Sequence, residues 1–469
     1  MSNKITINPV TRISGFLEIE VEVEKNKILN AKSSGLFFRG FEKILKGRPP
    51  LDAIYFTERI CGICSTAHSM ASTLALEDVL KIHPNENDKM IREFMHGCEF
   101  IQNHLRHFYQ YTIPDFVKGA RMESSFIASH NDYRLPEKID KELSEHYVES
   151  LRYSRLAHEM IAVFGGKAPH NHGIFVGGVT VNIDSAKWIK VKSILSDINR
   201  FVEDMLIPDV YKIAEYYPDY FSNGIGYKNL MSYGIFDSYT DNRTFYVSPG
   251  VIINGQYSTF NSDKITENIQ NAWYESVRDE ESPMVNTANE NIHKENAYSW
   301  IKAPRYEGYA MEVGPLARMW LSGNYNRGIS TMDRTIARVL EVKKIIEIME
   351  VFLEKITMIP PSQGSYEFNQ EAYGKGLVDT TRGALGHWTS VQNKAIQNYD
   401  IITPSSWNLS PKDSKGLKGV VEKALIGTFI QDIKNPVEIG RIVRSFDPCV
   451  SCATHVFTDR YSPVEIRVV

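Results

Sequence analysis

Arg59-Ile60-Cys61-Gly62-Ile63-Cys64-Ser65-Thr66-Ala67-His68 and Asp447-Pro448-Cys449-Val450-Ser451-Cys452-Ala453-Thr454-His455 stand near opposite ends of a 469-residue chain. Each holds a Cys-x-x-Cys pair. Together they offer four thiolates, a set that suits a soft or borderline metal such as zinc, iron or nickel. The ordinary reading of paired Cys-x-x-Cys motifs is a structural zinc or a rubredoxin-like iron. Zinc ribbons, however, space their pairs about 15 to 20 residues apart, because the metal staples a small module. Here nearly the whole chain intervenes, and a protein of this length needs no staple to hold its core. Length alone suggests about three domains. A site built from both ends instead requires one interdependent unit, residues 1–469.

Outward from the first pair the pattern turns helical. Apolar residues recur at three- and four-residue spacing over residues 65–80 and 87–111, and long helical stretches follow over 144–164, 185–217 with Pro208 as a kink, and 327–358. Before the pair, Phe16-Leu17-Glu18-Ile19-Glu20-Val21-Glu22-Val23-Glu24 alternates apolar and acidic residues. It turns at Lys25-Asn26-Lys27, which predicts a half-exposed β-hairpin with a solvated glutamate face. Residues 165–178 and 244–260 read as irregular or strand-like. The expected fold class is α+β and predominantly helical, a central bundle of long helices with peripheral β-hairpins.

Composition narrows the function. Lys plus Arg number 53 against 57 acidic residues, a net charge of -4, which leaves no basic footprint for nucleic acid. No apolar run approaches the ~18 to 20 residues that span a bilayer, and Met1-Ser2-Asn3-Lys4 does not open a secretory signal. The fifth cysteine, Cys98, sits in an apolar helical stretch and reads as a buried, inert thiol. His170 and His172, a loop pair with no carboxylate or cysteine beside them, read as structural.

The residues around both cysteine pairs resemble the two signatures of the nickel-iron hydrogenase large subunit. Further stretches agree in order along the chain: Pro9-Val10-Thr11-Arg12-Ile13, Phe38-Arg39-Gly40-Phe41-Glu42, Lys302-Ala303-Pro304-Arg305-Tyr306, Glu312-Val313-Gly314-Pro315-Leu316-Ala317-Arg318 and Arg382-Gly383-Ala384-Leu385-Gly386-His387-Trp388. The resemblance implies reversible heterolytic cleavage of H2. It makes Cys61 and Cys449 terminal nickel ligands, Cys449 also the base, while Cys64 and Cys452 bridge nickel to an iron carrying cyanide and carbon monoxide. It places His68 beside a bridging sulfur and Arg382 over the open coordination position, with Asp447 as its partner. A magnesium ion is implied on Glu42, the Ile401 carbonyl and His455. Residues 456–469 are implied to be removed after His455 on maturation.

Partners follow from the same resemblance and from cysteine arithmetic. Iron-sulfur clusters take about four cysteines each and none are spare here, so the electrons must leave through an iron-sulfur small subunit. A maturation endopeptidase, nickel-insertion proteins and a membrane cytochrome are further expected partners. The expected location is the outer face of the cytoplasmic membrane, reached through the small subunit, with the cytoplasm as the alternative. A hydrogenase-like subunit of quinone oxidoreductases, which lacks the four cysteines, and a structural zinc protein are the competing readings.

The chain departs from the family at three places. Arg12-Ile13-Ser14-Gly15-Phe16 stands for the usual Arg-Ile-Glu-Gly-His, so Ser14 replaces the glutamate that carries the proton away. Asn103 stands where aspartate is usual, and Asp379-Thr380-Thr381 replaces Glu-Ala-Pro. The expectation is a less acidic, more hydroxylated canopy, with proton exit either through Ser14 and water or past Arg382 and Asp447.

Overall fold

Alternation near the N-terminus does produce strands. The computed structural model describes residues 3–120, 130–236, 246–285, 287–361 and 365–453, apart from the side chains of Cys452 and Ala453. Strands β1 (Asn3–Ile7), β2 (Leu17–Glu24) and β3 (Lys27–Gly35) form an antiparallel sheet in that order. Leu17, Ile19, Val21 and Val23 are buried beneath it, and Glu22 and Glu24 face outward. Lys25 and Asn26 make the turn with positive φ, as a tight hairpin demands.

The long helices are α1 (Ser65–Leu80), α2 (Glu86–Arg106), α3 (Glu137–Gly165), α4 (Ser185–Phe201), α5 (Ile207–Tyr216) and α6 (Thr331–Lys355). Their apolar faces merge into the largest core cluster, which includes Phe94, Cys98, Phe100, Ile101, Ile345, Met349 and Phe352. Two helices continue through a wider turn. Residues His107–Thr112 form a π-turn after α2, and Val202–Leu206 form another between α4 and α5. The second explains the kink expected at Pro208: the missing proline N–H is accommodated at the start of α5 instead of breaking a ladder.

One sheet lies inside the molecule. Strands β4 (Glu371–Thr380), β5 (Gly383–Gln392) and β6 (Ala395–Ile402) pair antiparallel, and β4 packs directly on α1. Contact is close because β4 carries glycines: a Cβ at Gly376 would lie 1.9 Å from the Ala71 carbonyl oxygen, and one at Gly374 2.3 Å from that of Ala75. The β4–β5 hairpin turns at Thr381-Arg382. Gly383, at φ +123°, lets that turn settle against Gly314, where a Cβ would sit 2.6 Å from the Gly314 nitrogen. A buried ion-pair network ties the sheet to the bundle, with Arg318 joined to Glu341 at 2.7 Å and Asp379 at 3.1 Å. No described helix is long and apolar enough to cross a membrane.

Candidate metal centre

Cys61 and Cys64 lie on the loop that feeds α1, with Cys64 immediately before its first residue. Glu99, buried on α2, accepts the N–H groups of Thr66 (2.7 Å) and Ala67 (3.1 Å) and so caps that helix start. Burial pushes its carboxyl up to about 8. The other half of the site arrives on helix α7 (Val437–Ser445), after which Asp447 takes a left-handed conformation, φ 53°, and redirects the chain into Cys449. The incoming segment is held by Ser14: Ser14 N–H donates to the Pro448 carbonyl, and Val450 N–H donates to the Ser14 carbonyl at 2.7 Å. Ser405 accepts the Cys449 N–H at 2.9 Å. A side chain at residue 15 would strike the Ser451 nitrogen at 2.5 Å, so Gly15 is what allows this approach.

The two ends therefore meet. The Sγ atoms of Cys61, Cys64 and Cys449 all lie within 4.8 Å of one another, and all three residues are buried. Cys61 and Cys449 are 3.4 Å apart, too far for a disulfide. No other cluster of metal-binding side chains at such distances occurs among the described residues. The side chain of Cys452, and all of His455 and residues 456–469, lie outside the description.

Arg382 overhangs these thiols. It helps line a small cavity of about 10 Å³ with Cys64, His68, Thr380, Ser405 and Cys449. Burial opposes its charge, yet Asp447 and the three cysteines outweigh that penalty and hold its pKa above the usual arginine range. Its Nε donates to the Asp447 carbonyl at 3.0 Å, and Nη2 lies 3.0 Å from Asp447 Oδ1. That approach is an ion pair without hydrogen-bond alignment, so neither terminal guanidinium nitrogen has a hydrogen-bond partner among the described residues. Buried donors are rarely left so. Their exposure toward the thiols suits an anionic or electron-rich occupant. Asp447 is held by Asn103 (2.8 Å) and Arg338 (3.2 Å). Burial alone would raise its carboxyl, but Arg382, His107 and Arg338 hold it below the ordinary range.

His68 reaches the same cavity. Its Nδ1 is 3.1 Å from His387 Nε2, and a relay continues from His387 to Tyr399 (2.9 Å) and Ser72 (3.1 Å). Burial lowers His68 to about 4, leaving a neutral ring. The Ser14 hydroxyl is 3.3 Å from that of Ser451. Asp379 faces Arg318, Ser232 and the Tyr233 N–H, away from the canopy, which leaves Thr380 as the cavity-lining residue of that triplet. Cys98 is fully buried, its thiol pushed up by burial. His170 and His172 remain outside the cysteine cluster.

A second polar pocket of about 40 Å³ lies at Glu42, Glu267, Lys302 and Ile401. Glu42 is half-buried and accepts the Ile401 N–H at 3.1 Å. Lys302 meets Glu267 at 2.9 Å and Asp400 at 3.2 Å. Three carboxylates around one ammonium crowd negative charge: desolvation and Asp400 push Glu267 up to about 8, and Glu42 rises as well. Glu267 and Asp400 escaped the sequence reading because only the register of distant strands brings them beside Glu42. Lys302 could have been found from its own motif.

Comparison with known proteins agrees along the whole length. The sequence pattern of the nickel-dependent hydrogenase family matches residues 39–125, 119–329 and 321–455. The large subunit of the periplasmic [NiFeSe] hydrogenase of Desulfomicrobium baculatum is 36% identical, with 97% of this chain and 95% of that one covered. The uptake hydrogenase large subunit of Bradyrhizobium diazoefficiens is 30% identical over 97% and 95%. The solved H2-activated [NiFeSe] hydrogenase of Dm. baculatum superposes with a TM-score of 0.93 at 35% identity, covering 97% of this chain and all of that one. With a soft-metal thiol cluster at its centre and this likeness from end to end, the chain belongs to the nickel-dependent hydrogenase family as a large subunit, an oxidoreductase that acts on H2.

Proposed function

We propose that this chain splits H2 heterolytically and reversibly at a nickel-iron centre held by Cys61, Cys64, Cys449 and Cys452. The observation that carries the reading is three buried thiols, brought from both chain ends to within 4.8 Å, beneath a guanidinium whose terminal nitrogens make no hydrogen bond to the described residues. The donor set fits: thiolates favour nickel and iron over hard cations. A nickel-iron centre on these sulfurs, with cyanide and carbon monoxide on iron, would supply the electron-pair acceptor for H2. Cys449, whose loop is docked on the Ser14 backbone, takes the proton. Arg382 sets its positive charge beside that sulfur and polarises the substrate, since the charge lies in a water-poor cavity. Asp447, fixed by Asn103 and Arg338, orients Arg382. His68 presents a neutral ring to the cavity beside Cys64 and is itself oriented by His387.

The excess charge at Glu42, Glu267 and Asp400 is what a hard divalent cation would neutralise, and magnesium, held by Glu42, the Ile401 carbonyl and His455, fits an all-oxygen-and-imidazole site that keeps waters. Electrons pass to an iron-sulfur small subunit, because no further cysteines are available for a cluster. The relative from Dm. baculatum is named periplasmic, and an outer-face location through the small subunit follows that likeness. Nickel and iron analysis of the purified complex, with infrared spectroscopy, tests the whole reading. Stoichiometric nickel with cyanide and carbon monoxide bands is expected. Zinc in place of nickel, with no such bands, would overturn it.

A further inference from the structure

His68 sits in the first turn of α1, four residues after Cys64, and Ser72 follows it by one turn on the same face of the helix. His387 on β5 and Tyr399 on β6 share one face of the interior sheet, because His387 pairs with Ile401 and Thr389 with Tyr399. Docking that face on α1 closes a loop of hydrogen bonds that begins and ends on the same helix. It runs from His68 Nδ1 to His387 Nε2 at 3.1 Å, from His387 Nδ1 to Tyr399 Oη at 2.9 Å, and from Tyr399 Oη to Ser72 Oγ at 3.1 Å. All four side chains are buried, and among the described residues no charged group joins the loop.

The hydrogens in such a loop are not independent. Two ring nitrogens 3.1 Å apart share one hydrogen, so one imidazole donates there and the other accepts. Within a neutral imidazole, the bond made by one nitrogen decides what the other carries. Whether Tyr399 donates to His387 Nδ1 or accepts from it is therefore passed on to His387 Nε2 and then to His68 Nδ1. The last atom to feel that choice is His68 Nε2, the remaining polar atom of a ring that lines the cavity with Cys64 and Cys449. Tyr399 itself does not line that cavity.

We propose that Tyr399 is a positioning residue for the metal centre: acting through His387, its hydroxyl fixes the ring and the tautomer of His68, and so sets the hydrogen bonding that the centre receives from that side. This role rests on the nickel-iron reading of the cysteine cluster. Packing accounts for the Tyr399 ring, which lies among Leu45, Ala53 and Ile396. It does not account for a hydroxyl bracketed by a histidine from the neighbouring strand and a serine from the helix that carries His68. The two roles differ in one respect that can be measured, which is whether the effect of the hydroxyl travels through His387.

Tyr399→Phe in the complete enzyme keeps the ring and removes the hydroxyl. Infrared spectra of the cyanide and carbon monoxide bands read the centre directly, with nickel content and melting temperature as controls. The expected result is displaced bands and H2 turnover lowered about tenfold, with nickel content unchanged. His387→Gln should displace the bands as well. The double variant should move them no further than His387→Gln alone, because the hydroxyl acts only through the histidine. Bands at wild-type positions in Tyr399→Phe, or shifts that add in the double variant, would overturn the proposal. Loss of nickel in Tyr399→Phe would overturn it too, since the hydroxyl would then be a support of the fold. A wild-type enzyme that lacks these bands would instead sink the nickel-iron reading.

Discussion

At the scale of single residues, the site separates groups that hold the fold from groups that do chemistry. Cys449 does both through different atoms. Its N–H is spent on Ser405, and its backbone neighbours pair with Ser14, whereas Sγ faces the other thiols. Cys449→Ser should therefore leave a soluble, folded chain yet lower H2 turnover by about 100-fold or more, because a hard alkoxide neither binds nickel well nor accepts the proton as a thiolate does. Turnover and soluble yield of the complex check this; a rate within twofold of wild type removes Cys449 as terminal ligand and base. The cysteines, Arg382 and Asp447 could be picked out from sequence because their chemistry is specific to residue type. Arg338 could not. Its relevance depends on the face that a 25-residue helix presents, and a hydrophobic pattern does not record that.

At the scale of elements, periodicity was a good guide where one face of a helix is buried and a poor one where backbone packs on backbone. Helix α1 matches the expected residues 65–80, and α4 begins at the expected Ser185. The interior sheet escaped in part because two of the buried positions of β4, Gly374 and Gly376, are glycines, which carry no hydrophobic signal, although they set the distance between β4 and the helix that follows Cys64. Gly376→Ala should therefore injure the site from a distance. Its Cβ would meet the Ala71 carbonyl and the Ala75 nitrogen, both backbone atoms that cannot swing aside, at a cost toward or beyond the upper end of the usual ~1–3 kcal/mol for overpacking. The expected result is a lower melting temperature and a reduced nickel content; a variant with wild-type values for both would show that β4 and α1 can part without consequence.

A second contact between elements predicts a pH dependence. His146 on α3 meets Asp209 on α5 at 2.8 Å, and the hydrogen bond to that carboxylate raises the histidine pKa. Because the folded pKa lies above the unfolded value near 6.5, the stabilisation is fully present below that value and is lost as pH rises through the folded pKa. The melting-temperature gap between wild type and His146→Gln should thus be larger at pH 5.5 than at pH 9. A gap that does not change with pH would mean that the pair contributes nothing through protonation.

At the scale of the whole molecule, a site assembled from both chain ends is complete only when the C-terminal end has docked. Helix α7, the left-handed Asp447 and the Ser14 clamp deliver Cys449 to Cys61, while Arg39 binds the carbonyls of Ile60 and Ser451 and so spans the two halves. Beside them the pocket of Glu42, Glu267 and Asp400 gathers more carboxyls than Lys302 could balance if all were ionised, which favours a cation and a neutral or imidazole ligand. His455 is the residue of that type nearest in sequence to the last cysteine. In the tail that follows, Val464, Ile466 and Val468 alternate as in a strand, a pattern suited to occupying space that the finished centre must close. We therefore expect cleavage between His455 and Val456 once nickel is inserted, leaving His455 at the new C-terminus. Intact mass of the active, nickel-loaded subunit should show loss of residues 456–469, and the nickel-free precursor should retain them. An active, nickel-loaded chain that still ends at Val469 would refute the maturation step without touching the assignment of the four cysteines.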